Sequence, residues 1–110
     1  MVIRDKLYKY SNPLITKTIN IDDNIYGKLK DLSEKVYDAT ISEIINVAIE
    51  EYIERNNATF YGKSERETVT YRAIRLRKSN ISKLNEYSRK TGISFTRLVN
   101  GAVKEFLDNQ

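Results

Sequence analysis

The sequence predicts a mostly α fold with a short β-ribbon: two strand–helix–helix units whose strands pair antiparallel over four helices. Three observations predict it. Each half of the chain opens on a stretch of alternating apolar and polar residues, the signature of a strand with one buried face. Each alternating stretch runs into two stretches of helical periodicity. The second half then repeats the first: Ile19 and Ile21 recur 55 positions on as Ile74 and Leu76. A unit with one strand and two short helices cannot bury a full core alone and leaves its strand edges unpaired. The two copies are therefore expected to complete each other.

The chain divides into an N-terminal arm (1–13), a first unit (14–56), a linker (57–67) and a second unit (68–110). The arm is basic and aromatic through Arg4, Lys6, Tyr8, Lys9 and Tyr10, and Pro13 disfavours a helix through Asn12. In LITKTINI, residues 14–21, Ile19 and Ile21 point one way while Thr16, Thr18 and Asn20 point the other; Ile15 breaks the rhythm. Asp22 or Asp23 can cap the helix that follows. That helix shows Ile25, Leu29, Leu32 and Val36 on one face, and tolerates Gly27 at a cost of about 0.5–1 kcal/mol against alanine. After a turn at Tyr37-Asp38-Ala39, Thr40 and Glu43 form the Thr-x-x-Glu capping box of a second helix bearing Ile44, Ile45, Ala48, Ile49, Tyr52 and Ile53.

The polar linker leads to YRAIRLRK, residues 71–78. Ile74 and Leu76 face inward, and Tyr71, Ala73 and Arg75 face outward. Ser79 is the expected cap of the third helix. Leu84, Tyr87 and Ser88 match Leu29, Leu32 and Ser33, and Gly92 is a good helix stop. From there the offset is 54. Thr40-Ile41-Ser42 matches Ser94-Phe95-Thr96, and Ile44-Ile45-Asn46 matches Leu98-Val99-Asn100.

Composition narrows the chemistry. An apolar fraction of 40% with 31% charged residues is ordinary for a globular domain. No apolar run reaches the ~20 residues of a membrane span, and no signal peptide opens the chain, so a cytoplasmic protein without a membrane partner is expected. The sequence has no cysteine and no histidine, which excludes disulfides, thiolate or imidazole metal sites and histidine-based catalysis. No enzymatic activity, metal or cofactor is expected. Residues 1–56 carry a net −2 and residues 57–110 a net +6, within an overall +4. A basic half with a pI near 9.3 suits a polyanionic partner.

That partner is expected to be double-stranded DNA. A two-stranded ribbon fits the major groove, where Arg bridges guanine O6 and N7, Asn pairs with adenine, and Thr offers a hydroxyl and a methyl. Thr16, Thr18, Asn20, Tyr71, Ala73 and Arg75 are the candidate base contacts. The helix starts at Thr40 and Ser94 offer free N–H groups and a positive dipole end to phosphates, with hydroxyls from Thr40, Ser42, Ser94 and Thr96. Arg77 and Lys78, past the last inward strand residue, complete the candidate phosphate contacts.

The residues T-K-T-I-N-I, T-I-S-E-I-I-N-V-A-I-E-E-Y-I, R-A-I-R-L and I-S-F-T-R-L-V-N-G-A-V-K-E-F-L resemble the ribbon-helix-helix (MetJ/Arc-type) family of DNA-binding proteins over most of the chain. Thr40-Ile41-Ser42-Glu43 keeps the family's short second-helix signature; Ser94-Phe95-Thr96-Arg97 keeps the hydroxyls and replaces the acid. Two units in one chain are similar to TraY-type conjugation proteins and to regulators of archaeal viruses. The resemblance implies a transcription regulator, such as a repressor of viral or mobile-element origin, that reads bases with its outward strand residues and holds phosphate at the second-helix N-termini. It leaves open pairing within or between chains, and a homodimer or higher oligomer along DNA. Alternatives are an antitoxin, a relaxosome or partition accessory protein, and a helical adapter that does not bind DNA. An antitoxin is expected to carry a toxin-binding tail, and only Asp108-Asn109-Gln110 follow the last expected helix.

Overall fold

The computed structural model describes residues 12–55 and 69–110. Six elements follow in order: strand β1 (Leu14–Asp22), helices α1 (Asp23–Lys35) and α2 (Ile41–Glu54), strand β2 (Val69–Arg77), and helices α3 (Lys78–Thr91) and α4 (Phe95–Asp108). The molecule is thus mostly helical with one two-stranded antiparallel sheet. Most of the expected arm, and the whole expected linker, lie outside the described residues.

The strand register decides which residues share a face. Thr18 stands opposite Ala73, Thr16 opposite Arg75 and Asn20 opposite Tyr71. Opposed residues project to the same side of a sheet. Thr18 and Ala73 are also equivalent positions of the repeat, so an approximate twofold relation between the halves passes through that pair. The opposite side carries Ile19, Ile21, Ile74 and Leu76, all buried against Leu29, Ile45, Ile49, Leu84, Val99 and Val103. Each such side chain contributes about 1.5–3 kcal/mol by leaving water. Ile15, which breaks the alternation in sequence, lies opposite Leu76 on this side but is 37% exposed at the ribbon's end.

Local signals explain the helix boundaries. The Asp22 carboxylate accepts from the N–H groups of Asn24 and Ile25, capping α1. Thr40 and Glu43 form the reciprocal capping box at α2. Gly92 ends α3 at φ 76°, a left-handed conformation that glycine adopts without a Cβ penalty. The cap of α3 differs from expectation. The helix begins at Lys78, so Ser79 already lies inside it, and Arg77 at the cap position gives no side-chain bond. The chain just before β1 takes over: Asn12 Oδ1 accepts from the Ser79 N–H at 2.9 Å, and the Pro13 carbonyl accepts from the Lys78 N–H at 2.9 Å.

Two buried asparagines lock the halves together. Asn46 on α2 donates to the Arg75 carbonyl at 3.0 Å and accepts from the Arg77 N–H at 2.9 Å. Its counterpart Asn100 on α4 donates to the Asn20 carbonyl at 2.9 Å and accepts from the Asp22 N–H at 3.2 Å. Each second helix therefore holds the strand of the other half. A strand edge buried beside a helix needs such partners, because an unpaired buried N–H or C=O costs about 1–3 kcal/mol.

Candidate nucleic-acid interface

The register brings all six expected base contacts to one face. Thr16, Thr18, Tyr71, Ala73 and Arg75 are exposed there, and Asn20 is half-buried. Tyr71, at 71%, is the most exposed large hydrophobic side chain among the described residues. Among the described residues the Arg75 guanidinium has no hydrogen bond or ion pair. Its backbone is fixed, since its N–H donates to Ser42 Oγ at 3.2 Å and its carbonyl accepts from Asn46. A cation without a partner, on a backbone held at both groups, is ready to meet an external acceptor. Asn20 Oδ1 is buried and, among the described residues, has no hydrogen-bond partner.

The second-helix N-termini flank this face, and the two are not alike. At α2, Glu43 Oε1 accepts from the Thr40 N–H at 3.2 Å, while Thr40 Oγ1 accepts from the Glu43 N–H at 3.1 Å. A carboxylate of the chain's own already stands at that dipole end. Ser42, expected at a phosphate, accepts from the Arg75 N–H through its hydroxyl oxygen, and its O–H stays available to donate. At α4, Ser94 Oγ accepts from the Arg97 N–H at 3.2 Å, and no acid lies in the first turn. Thr96 is half-buried and Arg97 is exposed. Lys17 from β1 reaches the same end, its ammonium 5.9 Å from the centre of the Phe95 ring.

Arg77 and Lys78 also part company. Arg77 Nη1 alone donates to both Glu50 carboxylate oxygens, at 2.9 and 2.6 Å, and Asn80, donating to Asn46 Oδ1 and Glu50 Oε2, extends that network. Lys78 is exposed, and its side chain has no ion pair among the described residues. Arg72, unassigned in sequence, lies on the inner side opposite Ile19. It ion-pairs with Asp23 at 3.2 Å and stacks 3.6 Å from the Tyr26 ring centre, a cation–π contact that tethers the ribbon to α1. The clasp residues Asn46 and Asn100 were likewise visible only as a repeated asparagine at matched helix positions.

Surface hollows of about 330 and 300 Å³ lie away from the ribbon, lined respectively by residues such as Lys83, Tyr87 and Lys90, and Tyr37, Val47 and Phe106. Among the described residues there is no group of three or more metal-ligating side chains, and no helix is long and apolar enough to cross a membrane. No protein-family model matches the chain, and neither does any curated protein or solved structure.

Proposed function

We propose that this chain is a sequence-specific double-stranded DNA-binding transcription regulator with a tandem ribbon-helix-helix fold. The ribbon enters the major groove. Arg75, Asn20, Thr16, Thr18 and Tyr71 meet base edges, and Ala73 leaves room or touches a thymine methyl. The α4 N-terminus with Ser94, Thr96 and Arg97, the α2 N-terminus with Thr40 and Ser42, and Lys78 meet the phosphates that set register. Arg77 takes part through the guanidinium nitrogens that Glu50 leaves unoccupied. The carrying observation is the gathering of six candidate residues, five exposed and Asn20 half-buried, on one face of a two-stranded ribbon whose other side is core. Nothing in the core requires an arginine and a tyrosine there, and both suit a groove. The work is binding rather than catalysis, in the cytoplasm of the host cell.

The test is a titration of duplex DNA across a range of salt. Affinity should fall steeply, with a log–log slope of about −0.9 for each phosphate neutralised. Absence of duplex binding up to ~100 µM protein, the weak end of non-specific affinity, would refute the proposal. A salt-independent interaction would favour the adapter alternative.

A further inference from the structure

We propose that the chain binds its duplex in one orientation only, on a non-palindromic site with a guanine under Arg75 and an adenine under Asn20. This rests on the DNA-binding proposal above and adds a direction to it.

A ribbon with exact twofold symmetry presents the same groups to both half-sites, and its operators are palindromes for that reason. Here the backbone keeps the twofold relation while the outward side chains break it. The pair at the centre is Thr18 and Ala73. One end of the face holds Arg75 with Thr16, and the other holds Asn20 with Tyr71. Positions related by the twofold therefore carry Arg75 against Asn20, and Tyr71 against Thr16.

The two ends want different bases. Arg75 offers only donors, which suits the O6 and N7 acceptors of guanine. Asn20 offers a donor and an acceptor, which suits the N7 and N6–H₂ of adenine. Its Oδ1 has no donor among the described residues, so rotating the amide to meet adenine satisfies an orphaned acceptor. The exposed Tyr71 ring beside it supplies apolar surface for a thymine methyl, which an A·T pair places in the same groove. Turning the chain end for end sets the arginine against adenine's N6 amino donor and gives Asn20 only acceptors. Each mismatch costs about fivefold to a hundred-and-fiftyfold, so the reversed complex is disfavoured by at least about thirtyfold.

The experiment is a selection of bound duplexes from random sequence, joined to a tethered-cleavage assay. The chain has no cysteine, so a single cysteine placed at the exposed Asp38, just before α2, takes an iron chelate at one defined end. The expected site has guanine and adenine at twofold-related positions, and cleavage falls on one side of it. Two symmetrising changes sharpen the result. Asn20→Arg should shift the selected site toward guanine at both positions. Arg75→Asn with Tyr71→Thr should shift it toward adenine at both, with cleavage now on both sides. A perfect palindrome selected by the unaltered ribbon, or equal cleavage on both sides of its site, overturns the inference while leaving DNA binding intact. Failure of the unaltered chain to retain any duplex overturns the DNA-binding proposal itself.

Discussion

The N-termini of α2 and α4 occupy equivalent places beside the ribbon, yet their third helical residues carry opposite charge. Glu43 closes α2 with a reciprocal capping box, while Arg97 leaves α4 with a serine cap and a cation. The strands show the reverse bias. β2, held by α2, carries Arg72, Arg75 and Arg77, while β1, held by α4, has Lys17 as its only cation. Each side of the ribbon thus pairs a basic element with one that is not. In α2 the glutamates 43, 50, 51 and 54 stand without any Lys or Arg, and Glu50 holds Arg77. The two halves share a backbone frame and differ in where their cations lie, on β2 in one and at the α4 N-terminus in the other; under the proposed function the first would face bases and the second phosphates.

The largest contrast should appear in stability. Asn46 has four polar partners, Ser42, Arg75, Arg77 and Asn80, whereas Asn100 has three, Asn20, Asp22 and Thr96. Asn46→Ala should cost about 3 kcal/mol and Asn100→Ala about 2 kcal/mol, since each buried group left unsatisfied costs ~1–3 kcal/mol. Urea unfolding with an unchanged m-value measures both, and equal losses would remove the asymmetry of the clasps. Next comes base discrimination. Arg75→Ala should lose roughly 1–3 kcal/mol on the selected site and relax one base position, and Asn20→Ala should relax a different one. A common position for both would show that the two ends do not read separately. A smaller difference is expected at the caps. Thr40→Ala, which also removes a partner of Glu43, should destabilise by roughly 1–2 kcal/mol and Ser94→Ala by roughly 0.5–1 kcal/mol. The smallest effect concerns phosphate. Arg97→Gln should weaken all duplexes alike and lower the salt slope by about 1, whereas Glu43→Gln should strengthen binding at low salt. A loss confined to one sequence after Arg97→Gln would move that residue to the base contacts.

Much of this frame is legible in the sequence. Period-2 and period-3.6 patterns name the strands and helices because one face of each must be buried, and the 55-residue repeat names their partners. The outward row is legible for the same reason: fixing Ile19, Ile21, Ile74 and Leu76 inward fixes their neighbours outward. What escapes is whatever depends on contact between halves. Asn46 and Asn100 look like ordinary helix residues until a strand from the other half lies against them. Arg72 alternates onto the inner side, where an arginine is unexpected, and there it stacks on the Tyr26 ring and pairs with Asp23. Asn12 caps a helix that begins 66 residues later, so no local signature reveals it. Arg77 looks like a free cation because Glu50 is distant in sequence.

The central claim is that Arg75 stands at a guanine in the major groove. Guanine N7 lies in that groove, so methylation of N7 interferes with any contact made there. On the selected duplex, one guanine should block binding when methylated, and the block should vanish with Arg75→Ala while interference from phosphate modification remains. A duplex bound tightly with no guanine sensitive to N7 methylation, or one whose sensitivity survives Arg75→Ala, would contradict the account.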